Sequence, residues 1–205
     1  MKKIIVMLAC VLAIGAASAQ EKKGGLVFEC GIGTTRYGNY SAMSVFADPS
    51  DSYSLLPTKY VTFGYRHSDG WFVGLTLNND GGNTSFQTLN ERFINSNILL
   101  DLRRFFTMTD RIELVTGVEM GLLIHRNTFD YDNDHYSFRR HGMSARYLMG
   151  LNYQLTKNQI FGIRVLLPCY GSLTGDKPEL PTGLSANDKT RSIGCGFQFG
   201  YGIEF

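Results

Sequence analysis

From Ser192 to Phe205 the chain alternates between bulky apolar residues and small or polar ones. Ile193, Cys195, Phe197, Phe199, Tyr201, Ile203 and Phe205 hold one parity; Ser192, Gly194, Gly196, Gln198, Gly200, Gly202 and Glu204 hold the other. A period of two sustained over that length predicts a β-strand with one apolar face. The same period recurs within Leu26–Gly33, Val61–Arg66, Trp71–Asn78, Ile94–Arg103, Ile112–Ile124, Met143–Leu155 and Phe161–Leu167. Past Gly24 almost nothing reads as helix. The pattern therefore predicts eight antiparallel strands and an all-β fold.

The connections sort into two kinds. Three are tight, at His67–Gly70, Thr107–Asp110 and Thr156–Gln159, with ordinary turn residues. Four are expected to be long, at about 36–58, 79–91, 127–141 and 171–190, each rich in Asn, Asp, Ser, Gly or Pro. Tight and long connections alternate, so all the long ones fall at one end of the sheet.

Alternation identifies an apolar face but not the side on which it lies. A soluble barrel of the lipocalin kind would bury it, whereas a transmembrane barrel would turn it outward into lipid. Three features favour the second. The polar face is rich in Gly and carries few charges of mixed sign, which suits a narrow filled interior better than a solvated surface. Aromatic residues gather near the tight turns (Trp71, Phe72, Phe105, Phe106, Tyr153, Phe161, Tyr201) and near the long connections (Tyr37, Tyr60, Phe93, Phe138, Tyr170). Two such belts are expected at the two membrane interfaces. The segregation of turns and loops to opposite ends is the third.

The N-terminus reads as separate from this fold. Met1-Lys2-Lys3 is a basic start, Ile4–Ala16 an apolar core, and Ala17-Ser18-Ala19 a small-residue cleavage site. The expected organisation is a signal peptide over 1–19 and a single barrel domain over 20–205. Cleavage would remove Lys2 and Lys3 from the 20 basic residues, leaving them equal in number to the 18 acidic ones. A balanced chain argues against nucleic-acid binding. Cys10 would leave too, and Cys30, Cys169 and Cys195 fit neither a disulfide framework nor a zinc site. They read as small apolar strand residues.

The terminal run Phe197-Gln198-Phe199-Gly200-Tyr201-Gly202-Ile203-Glu204-Phe205 resembles the last strand of outer-membrane β-barrel proteins. With the leader and the eight-strand period, the chain is similar to the small OmpA/OmpX-type barrels, the outer membrane protein beta-barrel domain group. The resemblance implies an eight-stranded up-and-down transmembrane barrel with short periplasmic turns and long extracellular loops. It also implies export to the outer membrane of a Gram-negative bacterium. Tyr201, Ile203 and Phe205 would be the signal read by the barrel-assembly machinery. No peptidoglycan-binding domain is expected after Phe205. Expected partners are membrane lipid and lipopolysaccharide, with no nucleic acid, no cofactor and a monomeric state.

Charges on the inward parity should fill the lumen. Glu29, Arg66, Arg103 and Glu113 are expected toward the periplasmic end, and Asp101, Glu119, Arg146 and Arg164 nearer mid-height. Both signs occur in both layers, as required if each buried charge is to find a partner. Two loop motifs carry chemistry only weakly. Asp130, Asp132 and Asp134 begin like a calcium loop, but His135 and His141 stand where Gly and Glu are needed. His135-Tyr136-Ser137 matches a spacing found in outer-membrane lipid A deacylases, yet falls in a segment expected to be loop. No catalytic residue is assigned. The leading expectation is a non-enzymatic barrel with a structural, adhesive or interaction role through its loops. A small porin or transport channel is the alternative, and a lipid A-modifying enzyme the third.

Overall fold

The computed structural model describes residues 24–37, 55–86, 89–131, 134–171, 173–175 and 192–205. The expected leader and its cleavage site lie outside these, as do Asp132 and most of the first and last long connections. Eight long strands are present: β1 (Gly25–Tyr37), β2 (Leu56–Arg66), β3 (Trp71–Phe86), β4 (Leu89–Thr107), β5 (Ile112–Tyr131), β6 (Asp134–Gln154), β7 (Gln159–Tyr170) and β9 (Ser192–Glu204). A two-residue strand, β8 (Thr174–Gly175), pairs only with β6. Every neighbouring pair is antiparallel, and β1 pairs with β9 from Val27↔Glu204 to Tyr37↔Gly194, which closes the ring. Closure pairs the backbone N–H and C=O groups that an open sheet would leave along its two edges. Lipid imposes that condition because it supplies no hydrogen bonds.

The tight turns behave as their residues dictate. Gly70 takes a left-handed φ of 89°, and its N–H donates to His67 O at 2.9 Å. Asp69 accepts the Trp71 N–H at 3.2 Å. That bond, with a smaller contribution from neighbouring His67, holds the Asp69 carboxyl below its usual range. Thr109 Oγ1 accepts the Ile112 N–H at 3.0 Å in the next turn.

The outward parity carries the apolar residues. Phe63, Leu75, Leu100, Met120, Met149, Ile163 and Phe199 are all exposed on the outer wall, while Thr62, Asp101, Glu119, Arg164 and Gln198 are buried inside. Near the tight turns, Trp71, Phe106, Tyr153 and Phe161 are exposed and Tyr201 is partly so, as a belt at that interface requires.

Three expectations are corrected. The segments at 79–91 and 127–141 are largely not loops: β3–β4 pairing continues to Phe86↔Leu89 and β5–β6 pairing to Tyr131↔Asp134. Their polar side chains satisfy one another across the ladder instead of breaking it. Asn127 Nδ2 donates to Glu91 Oε1 at 2.5 Å, Asp130 faces His135 at 2.6 Å, and Phe129 stacks on Tyr136 with ring centroids 4.8 Å apart. The second correction is to the aromatic belts. Tyr37, Tyr60, Phe93, Phe138 and Tyr170, expected at the loop-side interface, are all buried, and so are Phe72 and Phe105 at the other end. Their parity is inward, and parity overrides position along the strand. Third, Ile203 has outward parity but is only 5 % exposed, flanked in register by Phe28 of β1 and Gln159 of β7 at the end of the strand.

An arginine at an exposed outer position of the apolar band tests which side faces lipid. Met120→Arg or Met149→Arg should cost about 2–4 kcal/mol in urea unfolding from phosphatidylcholine vesicles. Met108→Arg, in a tight turn, should be near neutral by comparison. Equal tolerance at all three sites would contradict a lipid-facing wall.

Candidate functional site: the filled lumen

The interior is built from long polar side chains that need room, and glycines on facing strands supply it. Gly31 of β1 lies opposite Gly200 of β9 and Tyr60 of β2. A Cβ on Gly200 would collide with the Tyr60 hydroxyl, and one on Gly31 would stand 2.5 Å from its ring. The notch lets Tyr60 reach inward and donate to Glu29 Oε1 at 2.6 Å.

Glu29 is the shared acceptor of the central layer. Arg164 grips it with both terminal nitrogens, Nη2 to Oε2 at 2.6 Å and Nη1 to Oε1, while Arg103 Nη1 lies 3.0 Å from Oε2. Arg103 also forks onto Asp101, donating Nε to Oδ1 at 2.9 Å and Nη2 to Oδ2. Thr76 donates to Asp101 at 2.9 Å. Glu119 completes the layer, with Oε1 3.6 Å from Arg103 Nη2 and Oε2 2.5 Å from Arg146 Nη2. The Arg146 contact is an ion pair by distance whose angles fall outside hydrogen-bond geometry. Three guanidinium groups thus face three carboxylates, and all six side chains are buried.

Nearer the tight turns, Arg66 Nη2 lies 2.6 Å from Glu113 Oε1, Nη1 lies 3.4 Å from Glu204 Oε2, and the guanidinium covers the Phe105 ring at 4.4 Å. The eight expected lumen residues therefore all point inward, but their layering differs from expectation. Glu29 and Arg103 join the mid-height group, leaving Arg66 and Glu113 as the lower pair with Glu204 added. Strand tilt is the reason: residues at different distances from their own turns reach one height in a sheared barrel.

Two apolar clusters accompany the charged layer. Val27, Phe72, Phe105, Val115, Leu148 and Leu166 pack together, as do Tyr37, Leu56, Phe93, Leu123, Tyr170 and Leu173 toward the protruding hairpins. Within the second cluster a polar bridge crosses the lumen. The Tyr37 and Tyr170 hydroxyls meet each other and both lie against Asp80 Oδ2, at 2.8 Å and 3.1 Å, so that two hydroxyl protons serve a three-way contact. Asn95 Nδ2 donates to Asp80 Oδ1 at 2.6 Å, and His125 Nδ1 sits 2.7 Å from Asn95 Oδ1. The bridge is hidden from the sequence as long as Asp80 counts as loop and the tyrosines as belt residues. Its signal was present: Asp80 continues the inward parity of Thr76 and Asn78, and Tyr37 that of Glu29.

The weaker motifs find plain structural places. His135 faces Asp130 on the exposed β5–β6 hairpin, and Ser137 lies opposite Thr128. Cys30, Cys169 and Cys195 are free. Phe205 donates its N–H to Leu26 O at 2.9 Å, tying the last residue to β1.

A closed antiparallel ring of eight strands, apolar outside and filled with paired charges, is the architecture of the small outer-membrane β-barrels. No family model matches the sequence, and no curated protein matches it. Among solved structures it is similar to neisserial surface protein A (NspA), with a TM-score of 0.59 and 11% identity over 88% of this chain and 97% of that one. It is also similar to Ail, the attachment invasion locus protein of Yersinia pestis, solved with the heparin analogue sucrose octasulfate, with a TM-score of 0.54 and 14% identity over 89% and 99%. A major outer membrane protein of Thermus thermophilus gives 0.55 at 9% identity over 88% and 99%. These likenesses show the fold.

Removing one member of a buried ion-pair group leaves its partners charged and uncompensated. Arg103→Ala, which strips Asp101 of the guanidinium forked onto it and Glu29 of one of two, should cost about 3–5 kcal/mol. Arg104→Ala, a partly exposed residue 3.9 Å from Asp69, should cost no more than about 1 kcal/mol. Urea unfolding of the two variants side by side checks the contrast.

Proposed function

We propose that this chain is a non-enzymatic barrel of a Gram-negative outer membrane that works through its extracellular hairpins rather than through its lumen. The observation that carries the reading is the filled interior. A ring of eight strands leaves room only for side chains, and here the Arg66–Glu113 pair, the central layer of Glu29, Asp101, Glu119, Arg103, Arg146 and Arg164, and the Tyr37–Asp80–Tyr170 bridge occupy successive heights. The hairpins β3–β4 and β5–β6 run on as paired strands well past the apolar band, which gives a partner a firm surface. The likeness to NspA and Ail supports placing the chain in an outer membrane.

The alternative, a small porin, is separated by one measurement. Purified protein in planar bilayers should show little or no steady conductance. Glu29→Ala, which removes the shared acceptor of two arginines, should raise it. Large, stable wild-type channels would replace this reading with the porin.

Assembly supplies a second test. In this proposal Tyr201, Ile203 and Phe205 form the segment read by the assembly machinery, and Phe205 also closes the ring through Leu26. Deleting Phe205 should lower outer-membrane levels and leave material in the periplasm, seen as loss of the heat-modifiable band on gels. Undiminished insertion would count against that role.

A further inference from the structure

Asp80 is a buried acid without an arginine. Glu29, Asp101 and Glu119 each lie within ion-pair distance of a guanidinium. Asp80 is only 3 % exposed, yet among the described residues no arginine, lysine or histidine comes that close to it. Arg146, whose field reaches it, is paired with Glu119. The groups that do touch Asp80 are neutral: Asn95 Nδ2 donates to Oδ1 at 2.6 Å, and the Tyr37 and Tyr170 hydroxyls lie against Oδ2. A carboxylate held in the interior without a countercharge is costly. The hydrogen bonds do not close either. The two hydroxyls also touch each other, so three oxygens make three contacts with two protons between them. Whichever way the protons point, one contact sets lone pair against lone pair. Positive charge at the centre of the triangle relieves all three contacts at once.

The triangle is supported from behind and reachable from in front. Tyr37 ends β1, Tyr170 ends β7 and Asp80 lies within β3, so the oxygens converge from three parts of the ring, with the two phenol rings 4.9 Å apart. Asn95 holds the far carboxylate oxygen, and His125 Nδ1 in turn sits 2.7 Å from Asn95 Oδ1. Outer partners of this kind orient the groups that bind an ion. On the other side, β2–β3 pairing stops at Thr58↔Asp80 while β3 runs on to Phe86. A groove of about 790 Å³ opens there, and its lining includes Asp80 itself with Gly81 and Gly82. The two glycines place no side chain beside the carboxylate. Lys59 and Arg92 line the same groove.

We propose that Tyr37, Asp80 and Tyr170 form a binding site for a hard trivalent cation, ferric iron, entered through this groove. Each phenol gives up its proton to solvent and forms an oxygen–iron bond, and the carboxylate forms a third; no electron is transferred. Phenols bind a metal only as phenolates. With Asp80 they supply three negative charges, which a trivalent ion cancels and a divalent ion leaves partly unpaired in the interior. A donor set made of oxygens alone suits a hard ion. A small ion with octahedral bonds of about 2.0–2.1 Å sets adjacent oxygens about 2.9 Å apart, close to the 2.8 and 3.1 Å between the phenols and Asp80. Lys59 and Arg92 repel a free cation but hold the carboxylates of an anionic chelate, the form in which ferric iron stays dissolved at neutral pH. The site needs the closed ring but neither a silent lumen nor a partner for the hairpins, so it stands or falls apart from the function proposed above.

The test incubates the full chain in phosphatidylcholine vesicles with ferric citrate, removes excess chelate, and reads visible absorbance and bound metal. Wild type should retain about one iron per chain with a phenolate-to-iron charge-transfer band, and release about two protons per ion into weakly buffered solution. Y37F and Y170F keep each ring and lose its hydroxyl; either should weaken retention at least about tenfold, and Y37F/Y170F should abolish the band. Y147F, on the outer wall where its hydroxyl meets Thr116, should leave the band as in wild type. The heat-modifiable band on gels shows that each variant has closed its ring. Wild type that retains no iron, or retains it without the visible band, would overturn the proposal with no variant needed. So would an undiminished band in Y37F/Y170F. Retention of calcium or magnesium in preference to iron would overturn the trivalent assignment.

Discussion

Glu29 brings a negative charge into a space lined by protein on all sides, where Arg164, Arg103 and Tyr60 converge on it. Much of the rest follows from satisfying that group. Arg103 cannot serve Glu29 alone without an excess positive charge beside Arg164, so Asp101 takes its other edge; Glu119 and Arg146 balance the remainder. A buried charge left without a partner costs several kcal/mol, so the set is held together by the penalty for breaking it more than by the gain from making it. The glycines on the inward parity belong to the same solution. Gly31 and Gly200 exist as gaps into which Tyr60 fits, and a methyl at either position would push the phenol off Glu29.

The ring that encloses this network is set by the opposite condition outside. Lipid offers the backbone nothing, so the strands close through β1 and β9, and the outer parity becomes apolar over the height of the band. Beyond that height the constraint lapses. The hairpins keep their ladders through side-chain pairing, Phe129 on Tyr136 and Asn127 with Glu91, and their outer face turns from apolar to cationic within one inward–outward repeat. The wall thus carries a chemical record of the bilayer boundary.

Much of this was legible in the amino-acid order, and the reason is the period of two. Parity assigns every residue of a strand to one of two faces. The eight strands, the outer wall and a set of inward charges, Glu29, Arg66, Asp101, Arg103, Glu113, Glu119, Arg146 and Arg164, are therefore readable without a structure, whereas the buried Asp80 and Glu91, in segments that read as loop, are not. Position along a strand misleads where it conflicts with parity. Tyr37, Tyr60, Phe93, Phe138 and Tyr170 sit near strand ends, as interface aromatics do, but each occupies the inward parity and fills the lumen. Polar composition misleads as well, because cross-strand pairs let Asn, Asp and His extend a ladder instead of closing a loop.

The sequence by itself determined which side chains share a face, because the strand repeat is local and needs no knowledge of neighbours. Only the tertiary structure decided which of them meet. Glu29 and Arg164 are distant in the chain, lie on strands separated by β9, and reach one another because shear brings different strand positions to a common height. The same holds for Tyr37, Asp80 and Tyr170, joined across the lumen from β1, β3 and β7. Contacts of that kind depend on register, tilt and closure together, quantities that belong to the assembled ring and to no single strand.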